Sequence, residues 1–288
     1  MKVAIITDSS AYLPSELQAL ANIYIVNLNV HFSDGIDMVD SAVDQTDFYQ
    51  KLAKSNPLPT TSQPPAGAYI EVMEKITNEG YDAVFGVFMS SGISGTFQTA
   101  SMILEDYEDQ LPIYLVDSKG ASVVEEVLVR HIMDRVALGI DFEQVYQEAL
   151  WLAEQSEIYL TVENLDNLSK GGRLSSGSAL IGNLLKIKPL MVFDEAGQIV
   201  LFEKLRTDKK VIQRWCELAA DRLEQYPAGI EIWLAHGDIE PTIQSIKESI
   251  QSKHPNIPIQ IRPLGSVIST HLGHGGRGIA LIPKIDNR

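Results

Sequence analysis

The chain has 288 residues, 45% of them hydrophobic and 21% charged, which is enough for two domains that each bury a core. Its 38 acidic residues outnumber 23 basic ones, and the net charge of −15 repels nucleic acid and anionic lipid surfaces, leaving only a local basic spot to dock a partner. No apolar run is long enough to cross a bilayer, and the single cysteine, Cys216, rules out an internal disulfide and a cysteine metal cluster; a cytoplasmic protein without stable membrane insertion is expected.

In chain order, Val3–Ile6 reads as a short buried strand that ends in the polar hinge Thr7-Asp-Ser-Ser10, before a helix seeded at Pro14-Ser-Glu-Leu17. Ile23–Phe32 alternates as a second strand, and Asp44–Lys54 forms a helix. Ser55–Pro65 holds four prolines, so it is neither helix nor inner strand but an extended surface or binding loop. A helix follows over Ala66–Glu79. Then the run Asp82–Met89 has the Val and Phe content of a strand buried on both faces, and it breaks into Ser90-Ser-Gly-Ile-Ser-Gly-Thr96 before a helix that reaches about Tyr107. Ile113–Val116, ending in Asp117-Ser118, is another strand, with helices over Ser122–Ala137 and Asp141–Gln155. This alternation predicts a doubly wound parallel sheet.

The pattern changes near Ser156. Ile158–Val162 is strand-like, Leu165–Leu174 carries Lys170-Gly-Gly-Arg173, and Ile187–Phe193 with Ile199–Leu205 forms a hairpin turning at Ala196-Gly197. A helix over Lys209–Gln225 holds Cys216 as a small apolar filler. Next come a strand Gly229–Ala235, a helix Pro241–Ser252, a strand Ile257–Arg262, a loop Leu264–His274 and a closing strand Gly278–Pro283. The fold class is therefore α/β in two domains, an N-terminal parallel sheet over 1–157 and a C-terminal mixed sheet over 158–288, with a ligand cleft expected at their interface.

Four loops bring candidate chemistry: Thr7–Ser10, Thr60–Pro65, Ser90–Thr96 and Ser269–Gly276, the last with His271 and His274 among glycines. Hydroxyls and free amides at a strand's carboxyl end suit an anion, although the same residues also serve merely to turn the chain and cap a helix. Asp8 suits orienting a base, binding a cation or capping a helix. His271 and His274 lack a third metal ligand, and no Walker loop or dinucleotide fingerprint is present, so neither metal nor nucleotide cofactor is expected. Ser94 and His271 suggest an acyl hydrolase or transferase by residue type alone, but Ser-Gly-Ile-Ser-Gly is not the Gly-x-Ser-x-Gly elbow.

With these motifs in view, the chain resembles the DegV family, the bacterial fatty-acid-binding proteins that serve as the lipid-carrying subunit of fatty acid kinase. The resemblance runs over one unit, residues 3–283. It is carried by Thr7-Asp-Ser-Ser10, Thr61-Ser-Gln-Pro64, Ser90–Thr96, Val116-Asp-Ser118, Lys170-Gly-Gly-Arg173, Lys186-Ile-Lys-Pro189 and Thr270-His-x-Gly273 in that order. It implies two α/β domains, a fatty acid between them as the only ligand, and phosphorylation of its carboxylate to acyl phosphate by a separate ATP-binding kinase subunit, for phospholipid synthesis. This chain would be the carrier and hold no catalytic residue. The implied ligand residues are Thr61, Ser62, Ser94, Gly95, Thr96, His271 and Gly273, and the implied kinase-docking residues are Arg206, Lys209 and Lys210. Three places depart from the family pattern: Ser122-Val-Val-Glu-Glu126 in place of small residues, His274 where a proline is common, and Asp208 where a basic residue is usual.

Overall fold

The computed structural model describes residues 1–175 and 187–285. In chain order the elements are β1 Val3–Asp8, α1 Ser15–Gln18, β2 Ile23–Val26, β3 Asn29–His31, β4 Asp37–Val39, α2 Gln45–Lys54, β5 Thr60–Ser62, α3 Ala66–Asn78, β6 Ala83–Phe88, α4 Thr96–Leu104, β7 Ile113–Asp117, α5 Val123–Ala137 and α6 Phe142–Gln155. The second part continues with β8 Glu157–Thr161, α7 Asp166–Lys170, β9 Lys188–Phe193, β10 Ile199–Leu205, α8 Asp208–Gln225, β11 Ile230–His236, α9 Glu240–Lys253, β12 Ile259–Pro263, α10 Ser266–Leu272 and β13 Arg277–Pro283.

β2-β1-β6-β7 form a wholly parallel sheet. β1 and β6 are buried at every position, as strands covered on both faces must be. Ala4, Ile6, Val84 and Phe88 pack on one face with Tyr69 and Met73 of α3 and Ala100 and Leu104 of α4. Val3, Ile5, Phe85 and Val87 pack on the other with α5 and α6. The second sheet, β10-β9-β8-β13-β11-β12, is mixed, with only β11 and β12 parallel. Its outer face takes α8 and α9 around Trp215 and Ile243. Its inner face shares a core with α5 and α6, where Leu160, Trp233, Ala280 and Ile282 meet Leu128 and Leu152. Those two helices are thus a common middle layer between both sheets.

Two expectations fail for the same physical reason, a partner remote in sequence. Ile23–Phe32 is not one strand. Val26 pairs with Asp8 at the end of β1, beyond which β2 has no neighbour. Leu28 then turns, its amide donating to Ser9 Oγ at 3.1 Å, and β3 joins β4 and β5 in a separate three-stranded antiparallel sheet. The prolines of Ser55–Pro65 confine pairing there to the three residues of β5, at that small sheet's edge. The Leu264–His274 segment is not a loop either. Residues 266–272 are helical because Asp40, from far earlier in the chain, caps them: its Oδ1 accepts from Ser266 Oγ at 2.5 Å and from the Val267 amide at 3.0 Å.

Candidate functional site

The strands of the first sheet end side by side, and their acids are used as clamps. Asp8 is fully buried. Its carboxylate accepts from the Ser10 and Met89 amides, each at 2.9 Å, and so ties the Thr7–Ser10 hinge to the start of the Ser90–Thr96 hinge. Burial pushes its pKa up against those bonds, and of its possible roles it fills that of cap. Asp117 Oδ1 likewise accepts from the Ser91 and Lys119 amides at 3.2 and 3.1 Å.

Beyond these clamps the hydroxyls pair with one another. Ser94 Oγ lies 2.8 Å from Thr96 Oγ1, and Ser90 Oγ donates to the Gly197 carbonyl at 2.8 Å. Gly95 caps α4, and a Cβ there would displace the end of the Gln63 side chain that leads out of β5. On β5, Thr61 Oγ1 stands 2.8 Å from His271 Nε2, while Ser62 Oγ stands 2.8 Å from His31 Nε2. α10 carries His271 inward, and the ring sits on Gly171, where a Cβ would lie 2.6 Å from Nδ1 and 2.6 Å from the Asn167 carbonyl. Burial, and secondarily the nearby Arg173 charge, lowers the His271 pKa to about 4, so the imidazole is neutral at pH 7. Gly273 ends α10 at φ +73°, its amide donating to Ser269 at 2.8 Å.

These groups border one cavity between the two sheets. Its walls are apolar: Leu28, Met89 and Ile93 from the first part, Ile158, Leu160, Phe193, Ile199 and Ile279 from the second, and Ile268 and Leu272 from α10. Its polar lining is Thr61, Ser62, Gln63, Ser94, Ser122, Arg173 and His271. Of the expected ligand residues, Thr61, Ser62, Ser94 and His271 line it, whereas Gly95, Thr96 and Gly273 stand behind the lining as structural supports. Arg173 had no expected role. Its Nε donates to the Ile93 carbonyl at 3.3 Å and its Nη1 to the Gly171 carbonyl at 2.6 Å. Among the described residues no carboxylate pairs with it, and burial lowers its pKa without removing its charge at neutral pH. An apolar cavity with a neutral imidazole, hydroxyl groups and, among the described residues, an unneutralised guanidinium at one place fits an amphiphile with an anionic head.

The DegV family model, described as "Uncharacterised protein, DegV family", matches residues 2–284. The chain belongs to the DegV family. A DegV domain-containing protein of Streptococcus pyogenes serotype M1 is 33% identical over 287 residues, covering 99% of this chain and 100% of that one. Protein DegV of Bacillus subtilis is 36% identical over 282 residues, covering 97% and 98%. Among solved structures, the fatty acid binding DegV family protein of Streptococcus agalactiae superposes with a TM-score of 0.92 at 33% identity, over 99% of this chain and 100% of that one. DegV of Bacillus subtilis, a fatty acid binding protein, gives 0.87 at 34% identity over the same shares. The two-part α/β architecture is that of these DegV structures.

The departures from the DegV pattern have structural partners. Ser122 and Glu125 form a reciprocal cap on α5, and Glu125 Oε1 also accepts from Ser10 Oγ at 2.8 Å. Glu126, 1% exposed at its side chain, is held by Arg262 from β12 at 2.8 and 2.9 Å and by Arg130 at 2.8 Å. His274 packs edge-on to Tyr49. Asp208 turns inward to Arg277 and, at 3.5 Å, to Lys188, both also paired with Glu163. Arg206, Lys209 and Lys210 are exposed at the start of α8, with no ion pair among the described residues. Lys186 of the Lys186-Ile-Lys-Pro189 motif lies outside the described residues. No helix among them is long and apolar enough to cross a membrane.

Proposed function

We propose that this chain is a carrier that holds one long-chain fatty acid in the cavity between its two domains, 1–157 and 158–288, and presents the carboxylate to a separate ATP-binding kinase subunit in the cytoplasm for phosphorylation to acyl phosphate. The observation that carries the reading is the pairing of an apolar cavity with an uncompensated Arg173 and a neutral His271. Each methylene placed in the cavity contributes about 0.8 kcal/mol, so a chain of common length is retained firmly. The carboxylate meets Arg173, the Ser94–Thr96 pair above Gly95, and the Thr61–His271 pair, with Ser62 at its border and Gly273 fixing the end of the histidine's helix. Arg206, Lys209 and Lys210 offer free positive charge to an acidic face of the kinase subunit.

The hydrolase alternative built on Ser94 and His271 loses its geometric support, because Ser94 bonds Thr96 and His271 bonds Thr61, leaving no base on that serine. Organic extraction of protein purified from a bacterial host, followed by mass spectrometry, is expected to yield about one fatty acid per chain; an empty extract refutes the carrier. Lipid-loaded protein with Arg206, Lys209 and Lys210 changed to Glu is expected to keep its lipid yet lose turnover by a kinase subunit. Unchanged turnover removes the docking role.

A further inference from the structure

His271 reaches the cavity on α10, a helix of seven residues that follows β12 of the second part yet is fastened from the first. Asp40 Oδ1 holds its first turn, accepting from Ser266 Oγ at 2.5 Å and from the Val267 amide at 3.0 Å. The Tyr49 hydroxyl of α2 lies 2.6 Å from Ser269 Oγ. Val267 packs with Leu28, Val30, Phe32 and Phe48 of the first part. A helix this short does not hold its shape alone, so these contacts set where α10 lies.

The place of Asp40 gives this cap a second consequence. Asp40 follows β4 directly, and its own amide donates to the Leu28 carbonyl at 3.1 Å, just ahead of β3. β3 pairs with β4 on one side and with β5 on the other, Val30 facing both Met38 and Thr61. One small sheet therefore carries the cap of α10 and also Thr61, whose Oγ1 stands 2.8 Å from His271 Nε2. Val267 and His271 are four residues apart, one turn along the same face. The turn that Asp40 holds thus decides where the imidazole, about 6 Å farther along the axis, meets Thr61. Asp40 is itself buried, 1% exposed, and lies outside the cavity lining.

We propose that Asp40 is a positioning residue for the fatty-acid head group: by fixing α10 against the small sheet it aligns His271 for the carboxylate without touching the ligand. This rests on the reading that the cavity takes a fatty acid. A cap of purely structural value changes the stability of the fold and leaves the affinity of the folded protein alone. A positioning residue changes that affinity, and only while His271 is there to be positioned.

The test uses the whole chain, delipidated and titrated with cis-parinaric acid, a fluorescent long-chain fatty acid. Asp40→Ala is expected to raise Kd about fivefold, the worth of a helix cap. In His271→Ala protein the same change is expected to move Kd by less than about twofold, since nothing remains to align. Asp40→Asn keeps the accepting oxygen and is expected to bind within about twofold of wild type. Followed by NMR, the His271 ring of Asp40→Ala is expected to titrate above its wild-type value of about 4, because a ring out of its seat regains water. Should Asp40→Ala fail to fold, Ser266→Ala removes one of the two donors and is read in the same way, with about a threefold rise in Kd. Wild-type affinity in the folded variant, an equal loss when His271 is absent, or an unmoved ring titration overturns the proposal and leaves the carrier intact. Failure of the wild-type chain to bind the probe overturns the carrier reading, and the proposal falls with it.

Discussion

Gly171→Ala tests whether the histidine's seat governs ligand retention. The added Cβ would lie 2.6 Å from the Asn167 carbonyl and 2.6 Å from His271 Nδ1. The carbonyl belongs to the preceding helical turn and yields little, so the ring must withdraw by about 0.8 Å to reach ordinary contact at 3.4 Å. Movement of that size takes Nε2 out of the geometry of its 2.8 Å bond to Thr61. Loss of that bond costs about 0.5–1.5 kcal/mol in ligand binding, a two- to twelvefold weaker Kd, and the overpacking lowers stability by about 1–3 kcal/mol. Delipidated protein titrated with a fluorescent fatty acid, together with urea unfolding, reads both. Gly172→Ala is the control: its φ of +72° strains alanine but its Cβ would touch nothing, so stability falls while the Kd holds. If Gly171→Ala binds as tightly and melts as high as wild type, the close seat of His271 is irrelevant and the reasoning fails.

Arg173→Met is expected to weaken fatty-acid binding by about tenfold or more while raising the His271 pKa from about 4, because the second cause of its depression is gone; titration of the His271 ring by NMR follows the shift. In delipidated protein the lowered His271 pKa makes the folded state bind fewer protons than the unfolded one between about 4 and 6.5, so stability falls as pH drops through that window, by at most about 3 kcal/mol. Burial lowers His131 and His236 in the same direction, so the readout is the flatter pH slope of urea unfolding in His271→Asn than in wild type. Arg262→Met leaves the buried Glu126 with Arg130 alone and should cost about 3 kcal/mol; adding Glu126→Gln should recover most of it, and a loss under about 0.5 kcal/mol for the single change contradicts the strut.

What could be read in advance depended on how local its cause was. Val3–Ile6 and Asp82–Met89 declare themselves as buried strands by composition, and the helices over 66–79 and 141–155 by their period, since each is decided within its own residues. The helix at 266–272 was missed because its cap, Asp40, is more than two hundred positions away, and the split of Ile23–Phe32 because it depends on where β1 ends. Thr61, Ser62, Ser94 and His271, which line the cavity, are singled out in the sequence only through resemblance, their loops being individually ambiguous. Arg173 stands within Lys170-Gly-Gly-Arg173, but its interest lies in having no acidic partner among the described residues, which no one-dimensional pattern displays. Asp208 shows the converse: an acid in a basic run is explained by Arg277 and Lys188 across the fold.

The shared middle layer of α5 and α6 restricts how the proposed ligand gets in and out. Because both sheets rest on the same two helices and Arg262 reaches from β12 into Glu126 on α5, the cavity walls cannot swing apart like a clamshell without exposing a common core. Exchange is therefore a matter of the rim: the three-residue strand β5 and the short helix α10 are small pieces that border the polar end. If the cavity holds the proposed ligand, its loading and release rates should track the fraying of those two pieces rather than the stability of the whole molecule.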